Sequence, residues 1–256
     1  MSRKVLLIGI DGLLIHRAID SGRAKTLKWL RDQSYFVDTE VEMPTVSGPS
    51  WSTLLTGKRA DVHKVSDNYF VDHNLKDAPD FLTQALKKDN QIKTYAAAGW
   101  PPLIDINDVG PVIANSGHER FHNDGEKLGY LKVDGEVFSH AIKTLDQKNV
   151  DLGFIYFCEA DEAGHRHGTV TGPYFDAIER IDGYVERIYE SLAKSNEDWL
   201  LVIVTDHGHR DEGGHGQDSP QERASFILAH SLNGDHPEWP RDLKPHQLAE
   251  RLLEHL

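Results

Sequence analysis

Apolar residues along this chain of 256 residues fall into two kinds of spacing. Continuous β-rich apolar runs of strand length occupy residues 5–10, 92–98, 152–157 and 200–205, the pattern of parallel strands buried on both faces. Residues 35–41 and 224–229 carry a weaker form of it. Between these runs the apolar step lengthens to three and four residues. Phe175, Ile178, Ile181, Val185, Ile188 and Leu192 recur in this way and predict a helix over residues 174–193. Residues 79–88 predict another, with Pro79 suited to its first position, and residues 247–254 predict a closing amphipathic helix. Strands alternating with helices predict an α/β fold, a three-layer sandwich with a mainly parallel central sheet and helices on both faces.

Residues 99–135 break the alternation, being weakly periodic and rich in Gly, Pro, Asn and Asp. We read them as a cap or rim excursion from a single domain over residues 1–256, a length that one α/β domain commonly reaches. No internal repeat or low-complexity tract is visible.

Composition narrows the function classes. With 39% hydrophobic and 27% charged residues the chain is too apolar to be disordered throughout, yet it has no apolar run long enough to span a bilayer. A formal charge of −13 with no basic stretch argues against nucleic-acid packaging. Cys158 is the single cysteine, which excludes an internal disulfide and a thiolate metal cluster, so a metal would need oxygen and nitrogen ligands. The start, Met1-Ser2-Arg3-Lys4 followed at once by a short apolar stretch, lacks the length and cleavage site of a signal peptide, and we expect a cytoplasmic protein.

The chemistry lies in acids and imidazoles near strand ends. Asp11 directly follows the first predicted strand, Asp206 follows residues 200–205, and Asp161 lies just beyond residues 152–157. Ligands of an open parallel sheet bind at the carboxyl ends of its strands, so these carboxylates can converge. Three bare carboxylates would repel one another, and a cation is the usual remedy. Taken singly, each Asp suits a turn or helix cap, as Asp11-Gly12 illustrates. Their company changes the reading: Asp161 and His165 stand four residues apart, Asp206 and His207 are adjacent, and His215 follows within Gly213-Gly214-His215-Gly216. Asp and His are natural donors for zinc or a similar first-row ion. His167 and His209 are nearby, but a spare histidine more often supports or flanks a site than ligates a metal, and we leave both out of the ligand set.

A hydroxyl-rich loop, Pro44-Thr45-Val46-Ser47-Gly48-Pro49-Ser50, runs into a short helix that Pro49 could begin. Ser47 at a helix N-terminus would suit an anion such as a phosphoryl oxygen. It would equally suit a simple N-cap. A metal bound to Ser47 would lower its hydroxyl pKa and make it a nucleophile.

These motifs resemble, in order, those of the alkaline phosphatase superfamily, most closely its nucleotide pyrophosphatase/phosphodiesterase branch. The likeness runs from residues 5–12 to residues 213–216, over most of the chain. It places the nucleophile on Ser47 within Pro44-Thr45-Val46-Ser47-Gly48-Pro49. It matches the Asp-x-x-Gly-His motif with Asp161, Gly164 and His165, and the Asp-His-Gly motif with Asp206, His207 and Gly208. The resemblance implies two divalent ions, Zn2+ with Mn2+ as the alternative: one held by Asp161, His165 and His215, the other by Asp11, Asp206, His207 and Ser47. It also places Ser50 where the branch carries an Asn that holds a phosphate oxygen, and so marks Ser50 as a substrate-binding residue. Two further departures are His63-Lys64 in place of His-Gly, and Trp51 where sulfatases carry Arg.

The resulting expectation is a two-metal phosphoester hydrolase, phosphodiesterase-like, working through Ser47 and a phosphoseryl intermediate on a small phosphorylated substrate such as a nucleotide, with no membrane partner. The rivals are a phosphomonoesterase, phosphonate hydrolase or sulfatase on the same core, and a metal-binding protein without turnover. Lys58 and Arg59 could add charge to the site, and Tyr69, Phe70 or Trp100 could stack on a base, though ordinary surface and packing roles suit each of them better.

Overall fold

The computed structural model describes residues 3–147 and 149–256; Met1 and Ser2, which open the N-terminal reading above, lie outside the described residues. The strands are β1 (Lys4–Ile10), β2 (Tyr35–Glu40), β3 (Thr94–Ala98), β4 (Glu119–His122), β5 (Leu152–Phe157), β6 (Trp199–Val204) and β7 (Ala224–Leu232). They form one sheet in the order β2-β7-β6-β1-β5-β3-β4. Neighbours from β6 to β4 are parallel, whereas β7 runs antiparallel to both β6 and β2. The mainly parallel sheet expected from the apolar runs is therefore present, with an antiparallel flank built from the two weaker strand candidates.

The first half of the chain supplies the helices α1 (Ile15–Asp20), α2 (Lys25–Gln33), α3 (Ser47–Thr56), α4 (Ala60–His63), α5 (Phe81–Lys88) and α6 (Pro101–Ile104). The second half supplies α7 (Gly125–Leu128), α8 (Tyr130–Gln147), α9 (Glu159–His167), α10 (Gly172–Ser195), α11 (Pro220–Arg223) and α12 (Leu248–Leu253). Alternation along β1 divides the core in two, as the period-two geometry of a strand requires. Val5 and Leu7 pack with Trp51, Leu54 and Leu55 of α3, Phe81 and Leu82 of α5 and Leu252 of α12. Leu6, Ile8 and Ile10 pack with Ala18 of α1, Leu27 of α2, Val133 and Val137 of α8, and Ile178, Ile181 and Val185 of α10.

Several boundaries differ from the sequence reading by a few residues, and in three places the difference has a local cause. Pro79 lies outside its helix, because Asp80 accepts the Thr83 N–H (3.0 Å) and caps α5. The helix after Pro44 begins at Ser47 rather than Pro49, with Val46 as its N-cap residue. Residues 99–135 are less irregular than expected: they hold α6 and α7 and contribute β4 to the sheet edge. Each of those elements is four residues long, too short for periodicity to reveal.

Candidate active site

Sheet register brings the acidic residues together. In β1, Ile10 pairs with Phe157 of β5 and Gly9 with Val204 of β6, so the chain leaves three adjacent strands at one edge. Asp11 lies there, its N–H donating to the Phe157 carbonyl (2.9 Å), with Asp206 beyond β6 and Asp161 in the first turn of α9. Helix α3 arrives over β1 through a steric fit. A Cβ on Gly9 would lie 2.4 Å from Trp51 Cη2, so glycine in mid-strand is what lets the indole seat on the sheet. From that seat Trp51 Nε1–H donates to Asp11 Oδ2 (2.9 Å), and Tyr156 O–H donates to the same oxygen (2.6 Å). Asp11 is thereby oriented with Oδ1 free.

One group of donors surrounds His207. Its Nδ1–H faces the Gly208 carbonyl (3.2 Å), leaving the Nε2 lone pair to the interior. Around Nε2 stand Ser47 Oγ at 3.2 Å, Asp206 Oδ2 at 3.2 Å and Asp11 Oδ1 at 3.5 Å. Ligands of a tetrahedral zinc, each about 2.0–2.2 Å from the ion, lie roughly 3.3–3.5 Å from one another, so the three contacts to Nε2 are close to the spacing of a coordination shell. Asp11 Oδ1 and Asp206 Oδ2 are buried without any hydrogen-bond partner. Buried oxygens are rarely left so unless a group outside the protein satisfies them. Burial, then the nearby Asp161 charge, pushes the Asp11 carboxyl up to about 8, and burial with the Asp11 and Asp161 charges raises Asp206 well above the usual range. Burial and the neighbouring His215 push the His207 imidazole well below its ordinary value. The donor set thus fits a divalent cation, which would supply the missing positive charge.

The second group adjoins the first, with the His207 and His215 rings stacked 3.7 Å apart between centroids. Asp161 Oδ2 lies 3.5 Å from His165 Nε2, Asp161 Oδ1 lies 3.5 Å from His215 Nε2, and the two imidazole nitrogens are 2.8 Å apart. The four-residue step places Asp161 and His165 on one face of α9. His215 is turned inward by Nδ1–H donating to the Thr45 carbonyl (2.7 Å), a bond from the segment just before Ser47. Burial works to raise Asp161, but the hydrogen bond from His209 and the charges of His209, His215 and His207 together hold it below the usual carboxylate range.

Every metal-ligand candidate from the sequence therefore reaches one of two adjoining groups: Asp11, Ser47, Asp206 and His207, or Asp161, His165 and His215. Ser47 is the first residue of α3, beyond the N-cap position, so its hydroxyl does not cap the helix and instead meets His207.

Ser50 does not join them. Its hydroxyl is buried without a partner, and the residue lines a separate cavity with Pro49, Thr53, Arg59 and Met43. The cleft over Ser47, about 350 Å³, is instead lined by Asn68, Trp100, Glu126, Tyr130, Glu162 and Arg166, among others. Asn68 Oδ1 accepts the Gly48 N–H at 2.7 Å, and Gly48 has no room for a Cβ, which would lie 2.5 Å from the Asp67 carbonyl oxygen. Asn68 thus lines the cleft that Ser50 does not reach, at a position that no local pattern in the sequence marks. Arg59 pairs with Glu42 at 2.8 Å and lines the cavity that holds Ser50, while Tyr69 is exposed and Phe70 packs on Trp100. Of the aromatic candidates, Trp100 alone lines the cleft.

His209, left out of the ligand set, is fully buried with Nε2 2.8 Å from Asp161 Oδ1. Its place two residues after His207 was the available signal.

Comparison with known proteins gives a consistent picture. Residues 5–221 match the profile of the type I phosphodiesterase / nucleotide pyrophosphatase family. The chain is 24% identical over 204 residues to the human GPI ethanolamine phosphate transferase 3, catalytic subunit; that match covers 79% of this chain but 17% of the relative, so the chain spans about a sixth of its length. A phosphonoacetate hydrolase from Sinorhizobium meliloti 1021, in complex with phosphonoformate, superposes with a TM-score of 0.73 at 13% identity, covering 99% of this chain and 96% of the other. An inactive murine ectonucleotide pyrophosphatase / phosphodiesterase 5 in complex with AMP gives 0.70 at 15% identity with the same coverage. The structural likenesses establish an alkaline-phosphatase-like fold.

Proposed function

Because the chain belongs to the type I phosphodiesterase / nucleotide pyrophosphatase family, we propose that it cleaves a phosphodiester with Ser47 as the nucleophile and a phosphoserine as the intermediate. The observation that carries this reading is the Ser47 hydroxyl, 3.2 Å from His207 Nε2 and beside the unpartnered Asp11 Oδ1 and Asp206 Oδ2. Asp11, Asp206, His207 and Ser47 would hold one divalent ion, Zn2+ or alternatively Mn2+, and Asp161, His165 and His215 the other. When bound, such ions lower the pKa of a coordinated hydroxyl and offset charge on phosphoryl oxygens.

The chain's own residues account for the remainder. Ser47 Oγ forms a bond to phosphorus as the bond to the leaving oxygen breaks in line, and water then cleaves the phosphoserine and frees the hydroxyl. Asn68, its Oδ1 pinned by the Gly48 N–H, presents its amide hydrogens to a non-bridging phosphoryl oxygen, as preorganised donors do at sites of developing charge. Trp51 and Tyr156 hold Asp11 in register through their bonds to Oδ2. Arg166 is the one Arg or Lys lining the cleft, and it is already paired with Glu162 at 2.8 Å. No guanidinium is thus free among the described lining residues to meet the second charge of a monoester, which favours a monoanionic diester. Trp51, donating to Asp11 where a sulfatase carries Arg, argues against sulfate esters.

A second reading keeps the same first half. Likeness to a GPI ethanolamine phosphate transferase supports passage of the phosphoryl group from Ser47 to an alcohol instead of water. Turnover of an aryl phosphodiester, with products analysed with and without an added acceptor polyol, separates the two. Ser47→Ala should lower release of the aryl alcohol by at least about a thousandfold while zinc bound per chain at saturating Zn2+ stays nearly intact, since Asp11, Asp206 and His207 remain to hold that ion. Wild-type turnover in that variant would refute the nucleophile.

A further inference from the structure

The two donor groups leave one imidazole of the cluster without a task. His209 is fully buried, and its Nε2 approaches Asp161 Oδ1 at 2.8 Å, nearer than either His165 or His215 approaches the same carboxylate. Its ring lies against those of His165 and His215, each 5.0 Å away between centroids. Two glycines make the place for it. A Cβ on Gly12 would lie 2.7 Å from His209 Nε2 and 2.9 Å from Asp161 Oδ1, and one on Gly164 would lie 3.1 Å from His209 Cε1. The β1–α1 loop and α9 are therefore both shaped around this imidazole.

Two roles are open to a histidine so placed. As a ligand it would present a lone pair to an ion; as a donor it would present Nε2–H to Asp161 and fix which carboxylate lone pairs face His165 and His215. The 2.8 Å contact between its Nε2 and the carboxylate oxygen has the length of an N–H···O hydrogen bond. We propose that His209 is a positioning residue: its Nε2–H holds the Asp161 carboxylate in the rotamer that completes the site with His165 and His215. Partners of this kind, one bond removed from the ion, typically change metal affinity by about 10- to 100-fold. The inference rests on the two-ion reading given above.

The test is zinc binding to the full chain, stripped with a chelator and titrated with Zn2+ alone, independent of any turnover. Wild type should take two ions. His209→Phe, which keeps an aromatic ring but no donor, should weaken one of them by about 10- to 100-fold and leave the other unchanged. His209→Gln, whose amide can still donate to Asp161 but is a poor zinc ligand, should recover most of that loss. Unchanged affinities in His209→Phe would overturn the positioning role. Equal losses in both variants would make His209 a ligand and overturn it as well. Should His209→Phe fail to fold, His209→Ala takes its place: it too should weaken one ion where His209→Gln does not, and equal affinities in the Ala and Gln variants would overturn the positioning role. Fewer than two ions on the wild type would bring down the two-ion reading itself, a result distinct from either.

Discussion

Single side chains here are tuned by burial more than by charge, and His63 shows how that reaches stability. It is fully buried in α4; its Nδ1 accepts the Val65 N–H (3.1 Å), so Nε2–H faces Thr53 Oγ1 (3.1 Å), whose own hydroxyl donates to the Pro49 carbonyl (3.0 Å). A second proton would put N–H against N–H, and burial lowers His63 from 6.5 to about 4. Below pH 6.5 the unfolded chain takes up a proton that the native state refuses. The stability this group contributes is therefore complete above that pH and is lost as pH falls toward 4. Urea midpoints measured from pH 7 to pH 4 should fall, and His63→Gln should flatten the fall by an amount on the order of 2–3 kcal/mol. An unchanged slope would show that His63 is not among the groups responsible. The same scale explains why Ser50 lines a different cavity from Ser47. The residue type at each loop position was plain from the sequence, but which of Ser50 and Asn68 faces Ser47 depends on a bond between loops, from Gly48 N–H to Asn68 Oδ1.

At the scale of elements, the site depends on how α9 is anchored. Asp134 of α8 is fully buried, and its Oδ2 accepts the N–H groups of Cys158 (2.9 Å) and Glu159 (2.8 Å) at the start of α9. It does from another helix what an N-cap side chain does locally, and α9 itself has no side-chain cap. Burial raises the Asp134 carboxyl well above its usual value, so a neutral isostere should serve. Asp134→Ala, leaving two buried donors unmet, should cost about 1–3 kcal/mol in urea unfolding, and Asp134→Asn under about 1 kcal/mol. Equal losses would mean that the contact is charge-driven. The strands and the long helix α10 follow their periodicities closely, because each spans enough residues for the pattern to repeat. The anchoring of α9 from residue 134 could not be read in this way, since no local spacing links it to residues 158 and 159.

For the whole molecule, two buried acids with the partly buried Asp161 beside them at one sheet edge oppose folding unless something offsets them. Asp11 and Asp206 are fully buried, and both carry an unpartnered oxygen. Zinc bound to the native state alone should therefore raise the melting temperature with concentration, by the equivalent of about 2.7 kcal/mol when free ion is a hundredfold above its dissociation constant. A chelator should reverse it; a melting temperature indifferent to both would remove the metal reading. Among the described residues no helix is long and apolar enough to cross a membrane. Spacing along the chain was sufficient to reveal the alternating strands and helices, the carboxylates after β1 and β6, and the Asp161–His165 step, because each is a relation between near neighbours that backbone geometry makes directional. Packing alone decided that β7 runs antiparallel, that Ser47 meets His207 from 160 residues away, that Asn68 rather than Ser50 enters the cleft, and that His209 clasps Asp161. Those are relations between surfaces, settled by the register of the sheet and the seating of Trp51 on Gly9, and no local pattern carries the distance between residues that only the folded chain makes adjacent.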